Sequence, residues 1–426
     1  MSLSSESSSA SSADPPVPVS WPDWPQFDRR LERVLQEVGS TGRWTISGPS
    51  RGVESYEQRF ARAFAAYTGT QYCVPTASGT TALIVALEAL GVGFGDEVVV
   101  PGMTWVATAS AVLSVNAVPV LVDVDPETLC IDPQALRAAI TPRTKAIVVV
   151  HLYASMSDMD AVLEIANAHR IPVVEDCAQA HGAMWRGKRA GSIGTIGTFS
   201  MQESKLLTSG EGGAAVTDDR ELARTMYLLK TDGRELQAPQ PRGRMELRVT
   251  GQVTGSNYCM SEFEAALLLE QMPLLDEQNR VRGHNAVALA EALSGVPGVR
   301  ALGTYPGVSL RTYYHYPIRF DPSAFGGNTS ARIADLLSDE LGFPFEPPDM
   351  PLDDSPYYRP FSRKRFTISP EHQAAINPAR YSLPNAHLAY ETTVLFHHAI
   401  LLADATQMGS IVAAFDRVRR HCSGRP

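Results

Sequence analysis

A single lysine, Lys205, lies between a strand-like stretch and a glycine cluster in FSMQESKLLTSGEGGAAVTDD, residues 199–219. An amine that is to form an imine must be held in a confined pocket, and glycines such as Gly210, Gly212 and Gly213 permit close approach of the backbone to a bulky ring. The segment therefore predicts an imine-forming lysine. A surface lysine in a loop is the alternative that this spacing leaves open.

A carboxylate at the end of an apolar strand is the second candidate. Asp176 in VVEDCAQAHGA ends such a strand, where an unpaired carboxylate would carry a large desolvation cost. A protonated pyridine nitrogen would be a suitable cationic partner, and the ion pair would raise the pKa of that nitrogen so that the ring can accept electrons. An aspartate that caps the following helix is the open alternative.

A third candidate is the junction of a strand and a helix in TASGTTALIVALEAL, where residues 78–81 open the helix. Free N–H groups and the positive end of the helix dipole predict a phosphate site there, and an ordinary helix cap is the alternative. The glycines of GVGFGDE, residues 91–97, follow a helix and precede a strand. That order is opposite to the order of a dinucleotide-binding turn, so they are interpreted as a helix end and a turn.

Alternating elements are needed to position these residues. Helices are predicted for YEQRFARAFAAYTG, ended by Gly69, and for TTALIVALEALG, ended by Gly91. Short apolar strands are predicted for EVVVP, VPVLVDV, AIVVVHL, PVVEDC, GTFSM and GGAAVTDD. This pattern indicates an α/β fold with a parallel or mixed sheet between helices, and ligands of such sheets lie beyond the carboxyl ends of the strands.

The chain is expected to form a large domain and a smaller one. A long helical run from about Met272 to Arg300 precedes TYYHYPIRF, which predicts a strand of a second domain. We place the boundary near residue 280, with a large domain at 21–280 and a small C-terminal domain at 281–426. Residues 1–20 are rich in serine and proline, so a disordered tail is expected there.

Composition disfavours several classes of partner. The formal net charge of -9 disfavours nucleic acid and anionic membranes, and 44% hydrophobic residues are ordinary for a soluble protein. No apolar run is long enough to span a bilayer and no signal peptide is recognisable, so a cytoplasmic protein is expected. The five cysteines are scattered without a CxxC pair, which indicates reduced structural thiols and no metal site.

Taken together, the strings ASGTTAL, VEDCAQAHGA and FSMQESKLLTSGEGG resemble fold-type I pyridoxal-phosphate enzymes, specifically the DegT/StrS sugar aminotransferases, over about residues 20–426. The resemblance implies a mostly parallel seven-stranded sheet between helices and a smaller C-terminal α/β domain. Four further strings, WPDWPQFD, VPGMTWVATASAVL, GSNYCMSEFEAALL and FHHAILLA, resemble the L-glutamine:scyllo-inosose aminotransferases of aminocyclitol antibiotic biosynthesis.

The resemblance also implies roles for individual residues. Lys205 would hold pyridoxal 5'-phosphate as a Schiff base, Asp176 would pair with its ring nitrogen, and Gln179 would bond its phenolic oxygen. The aromatic position that stacks on the ring corresponds to Trp105. Gly79, Thr80 and Ser200 of the same chain would hold the phosphate. Asn257 would reach that phosphate from the neighbouring subunit. A homodimer with shared active sites is therefore expected.

The expected activity is transfer of an amino group from L-glutamine, or glutamate, to a keto-cyclitol such as scyllo-inosose or 2-deoxy-scyllo-inosose. A valienone-like carbasugar and a nucleotide-linked ketosugar remain as alternative acceptors. Ser204 departs from the glycine or asparagine usual before the lysine in the nearest relatives, which puts the substrate in doubt. Lys205 argues against a deoxysugar dehydratase, which has histidine there, and the complete set of site residues argues against a silent regulatory protein. No role is assigned to His397 or His398.

Overall fold

A seven-stranded sheet forms the centre of the computed structural model, which describes residues 20–236 and 242–424. All but the last residue of the predicted disordered tail lies outside the described residues. The strands, in chain order, are β1 (Tyr72–Thr76), β2 (Glu97–Pro101), β3 (Val118–Val122), β4 (Thr144–Val150), β5 (Val173–Asp176), β6 (Met184–Trp185), β7 (Lys188–Arg189), β8 (Ile196–Ser200), β9 (Gly213–Thr217), β10 (Arg234–Leu236), β11 (Leu247–Val249), β12 (Val299–Ala301), β13 (Val308–Leu310), β14 (His315–Phe320), β15 (Phe345–Glu346) and β16 (Thr393–His397).

The large sheet has the strand order β1-β9-β8-β5-β4-β2-β3. Neighbouring strands are parallel from β8 through β5, β4 and β2 to β3, and β9 runs antiparallel to both of its neighbours. The predicted α/β fold with a mostly parallel seven-stranded sheet is therefore confirmed. Because the parallel strands point the same way, Asp176 at the end of β5 and Ser200 at the end of β8 reach the same edge of the sheet.

Helices cover both faces of this sheet. The α-helices of the described residues, some of which belong to the second sheet described below, are α1 (Arg29–Thr41), α2 (Tyr56–Thr68), α3 (Gly79–Ala89), α4 (Ala107–Ser114), α5 (Pro133–Ala139), α6 (Met159–His169), α7 (Arg220–Lys230), α8 (Glu262–Leu293), α9 (Ser330–Leu341), α10 (Pro370–Ala375), α11 (Pro384–Thr392) and α12 (Met408–Ser423). No helix within the described ranges is long and apolar enough to cross a membrane.

Alternate residues of the central strands face opposite helical layers. Val99 and Val149 pack with α1, α2, α6 and the first half of α8, whereas Val98 and Val148 pack with α3, α4 and α7. All four valines are fully buried. Burial on both faces explains why these strands read as continuous apolar runs in the sequence.

Local capping explains where the helices begin. Ser55, Ser78 and Ser261 each form a capping box with the residue three positions later, at the starts of α2, α3 and α8. The helix α2 ends at a left-handed Gly69, as predicted, while α3 ends at Ala89, two residues before Gly91. The glycine run GVGFGDE lies between α3 and β2, as its order in the sequence indicated.

A second, antiparallel sheet has the order β12-β14-β16-β15 and packs against α9, α12 and the second half of α8. The segment TYYHYPIRF supplies β14, as predicted. The continuous helix α8 passes through residue 280, so the proposed domain boundary lies within a helix. Residues between β15 and β16, such as Leu352, Tyr358 and Phe366, return to pack with the core of the large sheet.

Candidate active site

A cavity of about 430 Å³ lies at the carboxyl edge of the large sheet, between the ends of β5 and β8 and the start of α3. It is continuous in its lining with a wider cavity of about 960 Å³ through Trp105, Gln179, Lys205 and Tyr314, which line both. Most of the predicted site residues line the smaller cavity: Gly79, Thr80, Trp105, Asp176, Gln179, Ser200 and Lys205. The tertiary structure therefore brings the three separate sequence candidates together.

Asp176 is a buried carboxylate at the inner end of this cavity. Its Oδ2 accepts a hydrogen bond from Thr108 Oγ1 at 2.9 Å, and its Oδ1 accepts one from the Ala178 N–H at 3.2 Å. Burial raises the pKa of Asp176, and these two hydrogen bonds and the positive charge of Lys205 oppose that rise. A cation placed against the carboxylate would stabilise its charged form further.

Lys205 lies in the loop after β8, with its Nζ 3.9 Å from the centroid of the Tyr314 ring. A cation above an aromatic face is attracted by the electrons of the ring, which gives the amine a defined position. The hydroxyl group of Tyr314 is 2.8 Å from Ser204 Oγ, and Ser204 Oγ also donates to Gln202 Oε1 at 2.7 Å. Ser204 thus connects the lysine loop with β14.

Two adjacent histidines hold the backbone immediately before the lysine. The Nε2 atoms of His397 and His398 lie 2.9 and 3.0 Å from the carbonyl oxygen of Ser204. Burial lowers the pKa of both histidines, so they are neutral near pH 7 and each donates through Nε2 to one lone pair of that oxygen. No role for these histidines was predicted from the sequence, and in the structure they support the Lys205 loop.

The start of α3 approaches the end of β8 very closely. A Cβ added to Gly79 would lie 2.7 Å from Ser200 Cβ and 3.0 Å from Ser200 Cα, which real side chains do not tolerate. Glycine is therefore required here by space. The close approach places Thr80, Ser200 and the free N–H groups of an eleven-residue helix around one end of the cavity.

Gln179 and Trp105 line the junction of the two cavities. The Tyr153 N–H donates to Gln179 Oε1 at 2.7 Å, and among the described residues no group accepts from the Gln179 amide nitrogen. That amide can therefore donate a hydrogen bond into the cavity. Trp105 is 51% exposed although the Tyr357 ring centroid lies 5.5 Å from its own, so part of its ring surface can contact a planar ligand.

Asn257 is the predicted site residue that the structure does not bring to the cavity of its own chain. It is exposed, its Oδ1 accepts from the Cys259 N–H at 3.3 Å, and it lines neither cavity. The neighbouring Tyr258 accepts at its carbonyl oxygen from the Ala77 N–H, so this segment runs beside the strand that leads to α3. Its predicted role in the neighbouring subunit stays a prediction.

Several residues at this site have no recognisable signal in the sequence. Thr108 lies four residues after Thr104, and their hydroxyl oxygens are 3.1 Å apart. Nothing in the string WVATA indicates that Thr108 faces Asp176. Tyr314 was interpreted only as part of a strand. A threonine in a helix and a tyrosine in a strand are common in any sequence. Only the contacts with Asp176 and Lys205 distinguish Thr108 and Tyr314 from other such residues.

Known proteins are similar to this chain in sequence and in fold. The DegT/DnrJ/EryC1/StrS aminotransferase family model matches residues 26–396. The chain is 53% identical to the L-glutamine:2-deoxy-scyllo-inosose aminotransferase of Streptoalloteichus tenebrarius, over 94% of this chain and 95% of that protein. It is 50% identical to the L-glutamine:scyllo-inosose aminotransferase of Streptomyces griseus, over 93% and 94% of the two chains.

A solved structure supports the same assignment. The crystal structure of 3-amino-5-hydroxybenzoic acid synthase superposes with a TM-score of 0.81 at 31% identity, over 94% of this chain and 99% of that one. The match thus extends over both sheets and the cavity between them. The chain belongs to the DegT/DnrJ/EryC1/StrS aminotransferase family.

Proposed function

We propose that this protein is a pyridoxal-phosphate-dependent aminotransferase that moves an amino group from L-glutamine to a keto-cyclitol such as 2-deoxy-scyllo-inosose or scyllo-inosose. The observation that carries the proposal is the single cavity in which Lys205, Asp176 and the start of α3 meet. The names of the relatives that are 50 to 53% identical supply the donor and the class of acceptor.

The residues present fit pyridoxal 5'-phosphate. The glycine-dependent junction of Gly79 and Ser200 is a cradle for a phosphate, because N–H groups and hydroxyl groups converge there. Asp176 is a buried carboxylate beside which a ring nitrogen would be held in its protonated form. The free amide of Gln179 would donate to the phenolic oxygen, and Trp105 would cover one face of the ring.

Different residues of the chain would perform different steps of the reaction. When bound, the cofactor supplies an electron sink for the negative charge left at a carbon that loses a proton. Lys205 would anchor the cofactor and, once displaced by the incoming amine, move that proton with its free Nζ. Asp176, oriented by Thr108, would keep the proton on the ring nitrogen. Tyr314, Ser204 and the two histidines would hold the lysine loop in place.

The charges around the wider cavity favour an uncharged acceptor over a nucleotide-linked one. Within the described parts of this chain, Lys205 is the only lysine or arginine that lines either cavity. Diphosphate groups are usually bound by several such cations. The cavity instead carries carboxylates, from Asp23, Glu203, Glu346 and Asp349, whose oxygens accept hydrogen bonds from hydroxyl groups.

A spectroscopic titration of the purified, cofactor-loaded protein tests the proposal. L-glutamine is expected to abolish the visible absorbance of the bound cofactor, and scyllo-inosose or 2-deoxy-scyllo-inosose should then restore it. L-glutamate and a nucleotide-linked ketosugar serve as the alternative donor and acceptor. A Lys205→Ala variant should give neither response and should not retain cofactor after borohydride reduction, whereas the exposed Lys188→Ala should behave as wild type. Turnover by Lys205→Ala at the wild-type rate would refute the proposal.

A further inference from the structure

A tyrosine and an aspartate form a paired hydrogen bond on the wall of the wider cavity. Tyr153 Oη donates to Asp349 Oδ2 at 3.1 Å and accepts from the Asp349 backbone N–H at 2.7 Å. Asp349 lies after β15, and both residues line the cavity together with Lys205. Among the described residues no group donates to the other carboxylate oxygen, Oδ1. One acceptor atom is therefore available to a ligand in the cavity.

The backbone of Tyr153 ties this pair to the reacting end of the site. Its N–H donates to Gln179 Oε1 at 2.7 Å, and its carbonyl oxygen accepts from the Tyr314 N–H at 2.9 Å. Tyr153 also has a left-handed backbone with a φ of 54°, which is rare for a bulky residue and persists only where the surroundings impose it. Gln179, Tyr314 and Asp349 are thus held at defined positions around one residue.

The charges on this wall select the kind of group that it can bind. Burial raises the pKa of Asp349, and the positive charge of Lys205 opposes that rise. The nearby Glu346 is a second carboxylate, 3.4 Å from His315, and burial lowers the pKa of His315 well below its usual value. Two carboxylates without a protonated histidine beside them would repel the carboxylate of an amino-acid donor. Hydroxyl groups, which donate hydrogen bonds, match this wall.

We propose that Asp349, oriented by Tyr153, is a specificity-determining residue that accepts a hydrogen bond from a ring hydroxyl group of the keto-cyclitol acceptor. The assignment rests on the function proposed above and deepens it, because it gives one wall of the cavity to the acceptor. The proposed role distinguishes the half-reaction with the acceptor from the half-reaction with the donor. The acceptor contacts Asp349, whereas the donor amino acid does not.

The two half-reactions can be measured separately in single turnovers of the cofactor-loaded enzyme. For Asp349→Ala, the kcat/KM of the half-reaction with scyllo-inosose is expected to fall about 10- to 100-fold, the effect of losing one hydrogen bond to a charged group. The half-reaction with L-glutamine should stay within about twofold of wild type. Asp349→Asn, which retains an acceptor oxygen without the charge, should give a smaller loss. Tyr153→Phe should reduce the same half-reaction.

Asp353→Ala is the matched control. Asp353 lies four residues further along the same segment, but its carboxylate faces His387 at 3.1 Å and does not line the cavity. This variant should leave both half-reactions unchanged. Equal losses of both half-reactions in the Asp349 and Tyr153 variants would show a general structural role and overturn the inference, as would an unchanged acceptor half-reaction.

Failure of the proposed function is recognised in the wild-type enzyme. If wild type completes the donor half-reaction but aminates no keto-cyclitol, the acceptor class is wrong and the role of Asp349 falls with it. If wild type aminates scyllo-inosose and the Asp349 variants do so equally well, only the inference about Asp349 is wrong. Circular dichroism and cofactor content of each variant identify any that misfold, and the Tyr153→Phe result then decides.

Discussion

At the scale of single residues, Asp176 shows how one carboxylate is prepared for a cation. It is buried, yet hydrogen bonds from the Thr108 hydroxyl group and the Ala178 N–H support its charged form. A carboxylate buried without a cation is costly, and a protonated ring nitrogen offsets that cost. The proposed ion pair thus stabilises the charged form of Asp176 and the protonated form of the ring nitrogen. The protonated ring can accept electrons.

Asp176→Asn is expected to slow transamination by a factor on the order of 10³, because the neutral amide no longer keeps the ring nitrogen protonated. Single-turnover rates with L-glutamine, measured at saturating cofactor, give the size of the loss. Asp132→Asn is the control, since Asp132 caps α5 away from the cavity and asparagine caps a helix equally well. Near-normal rates for Asp176→Asn would mean that another group protonates the ring.

At the scale of elements, the contact between α3 and β8 shapes the proposed phosphate cradle. The N-terminus of α3 presents free N–H groups, as helix N-termini do, and Gly79 allows it to lie against Ser200. Neither element forms the cradle alone. The helix provides the dipole and the N–H groups, and the strand provides the serine at its carboxyl end.

Gly79→Ala is expected to raise the dissociation constant of pyridoxal phosphate at least about tenfold, because its Cβ would separate α3 from Ser200 and disturb phosphate hydrogen bonds that are worth about 1 to 3 kcal/mol each. Equilibrium titration of cofactor-free protein measures the constant. Gly93→Ala provides the control, since no atom lies within 4 Å of its added Cβ. Equal affinities of the two variants would show that the close contact is unrelated to cofactor binding.

At the scale of the whole molecule, Asn257 tests whether the site is shared between subunits. If it contacts the phosphate of the neighbouring chain, mixing inactive Lys205→Ala with Asn257→Ala should restore activity. Half of the randomly exchanged dimers would be mixed, and each would carry one intact site of two, so about a quarter of wild-type activity is expected at limiting cofactor. Demonstrated exchange without recovered activity would refute the role of Asn257 in the site of the neighbouring subunit.

Buried histidines predict how the stability of the molecule depends on pH. Burial and the charge of Lys205 lower the pKa of His181 to about 3. The unfolded chain binds a proton at this residue as the pH falls through about 6.5, and the folded chain does not until about pH 3, so stability is lost on acidification within this window. From pH 7 to 5 the loss from His181 is about 2 kcal/mol.

His181→Gln should therefore lose less of its free energy of unfolding between pH 7 and pH 5 than wild type does, by about 2 kcal/mol. Urea unfolding of the cofactor-free protein at one protein concentration and ionic strength gives the comparison. The exposed His169→Gln should retain the wild-type dependence on pH. A His181→Gln variant with that same dependence would show that His181 titrates alike in the folded and unfolded chains.

The sequence by itself determined the features that depend on neighbours in the chain. Apolar runs separated by helical patterns predicted the large sheet, because strands buried on both faces must be apolar throughout. The capped start of α3, Asp176 at a strand end and Lys205 beside glycines each has a local signal. Parallel strands align their carboxyl ends, so even the meeting of these residues at one edge could be predicted from the order of the elements.

Only the tertiary structure decided the contacts that surround them. Thr108 reaches Asp176 across 68 positions of sequence, Asp349 reaches Tyr153 across 196, and His397 and His398 reach the Ser204 carbonyl across 193 and 194. Periodicity and composition record which face of an element is buried, but they do not record which distant side chain lies opposite. Such a pair is selected by packing, when the return of the C-terminal segments to the large sheet closes the cavity over Lys205.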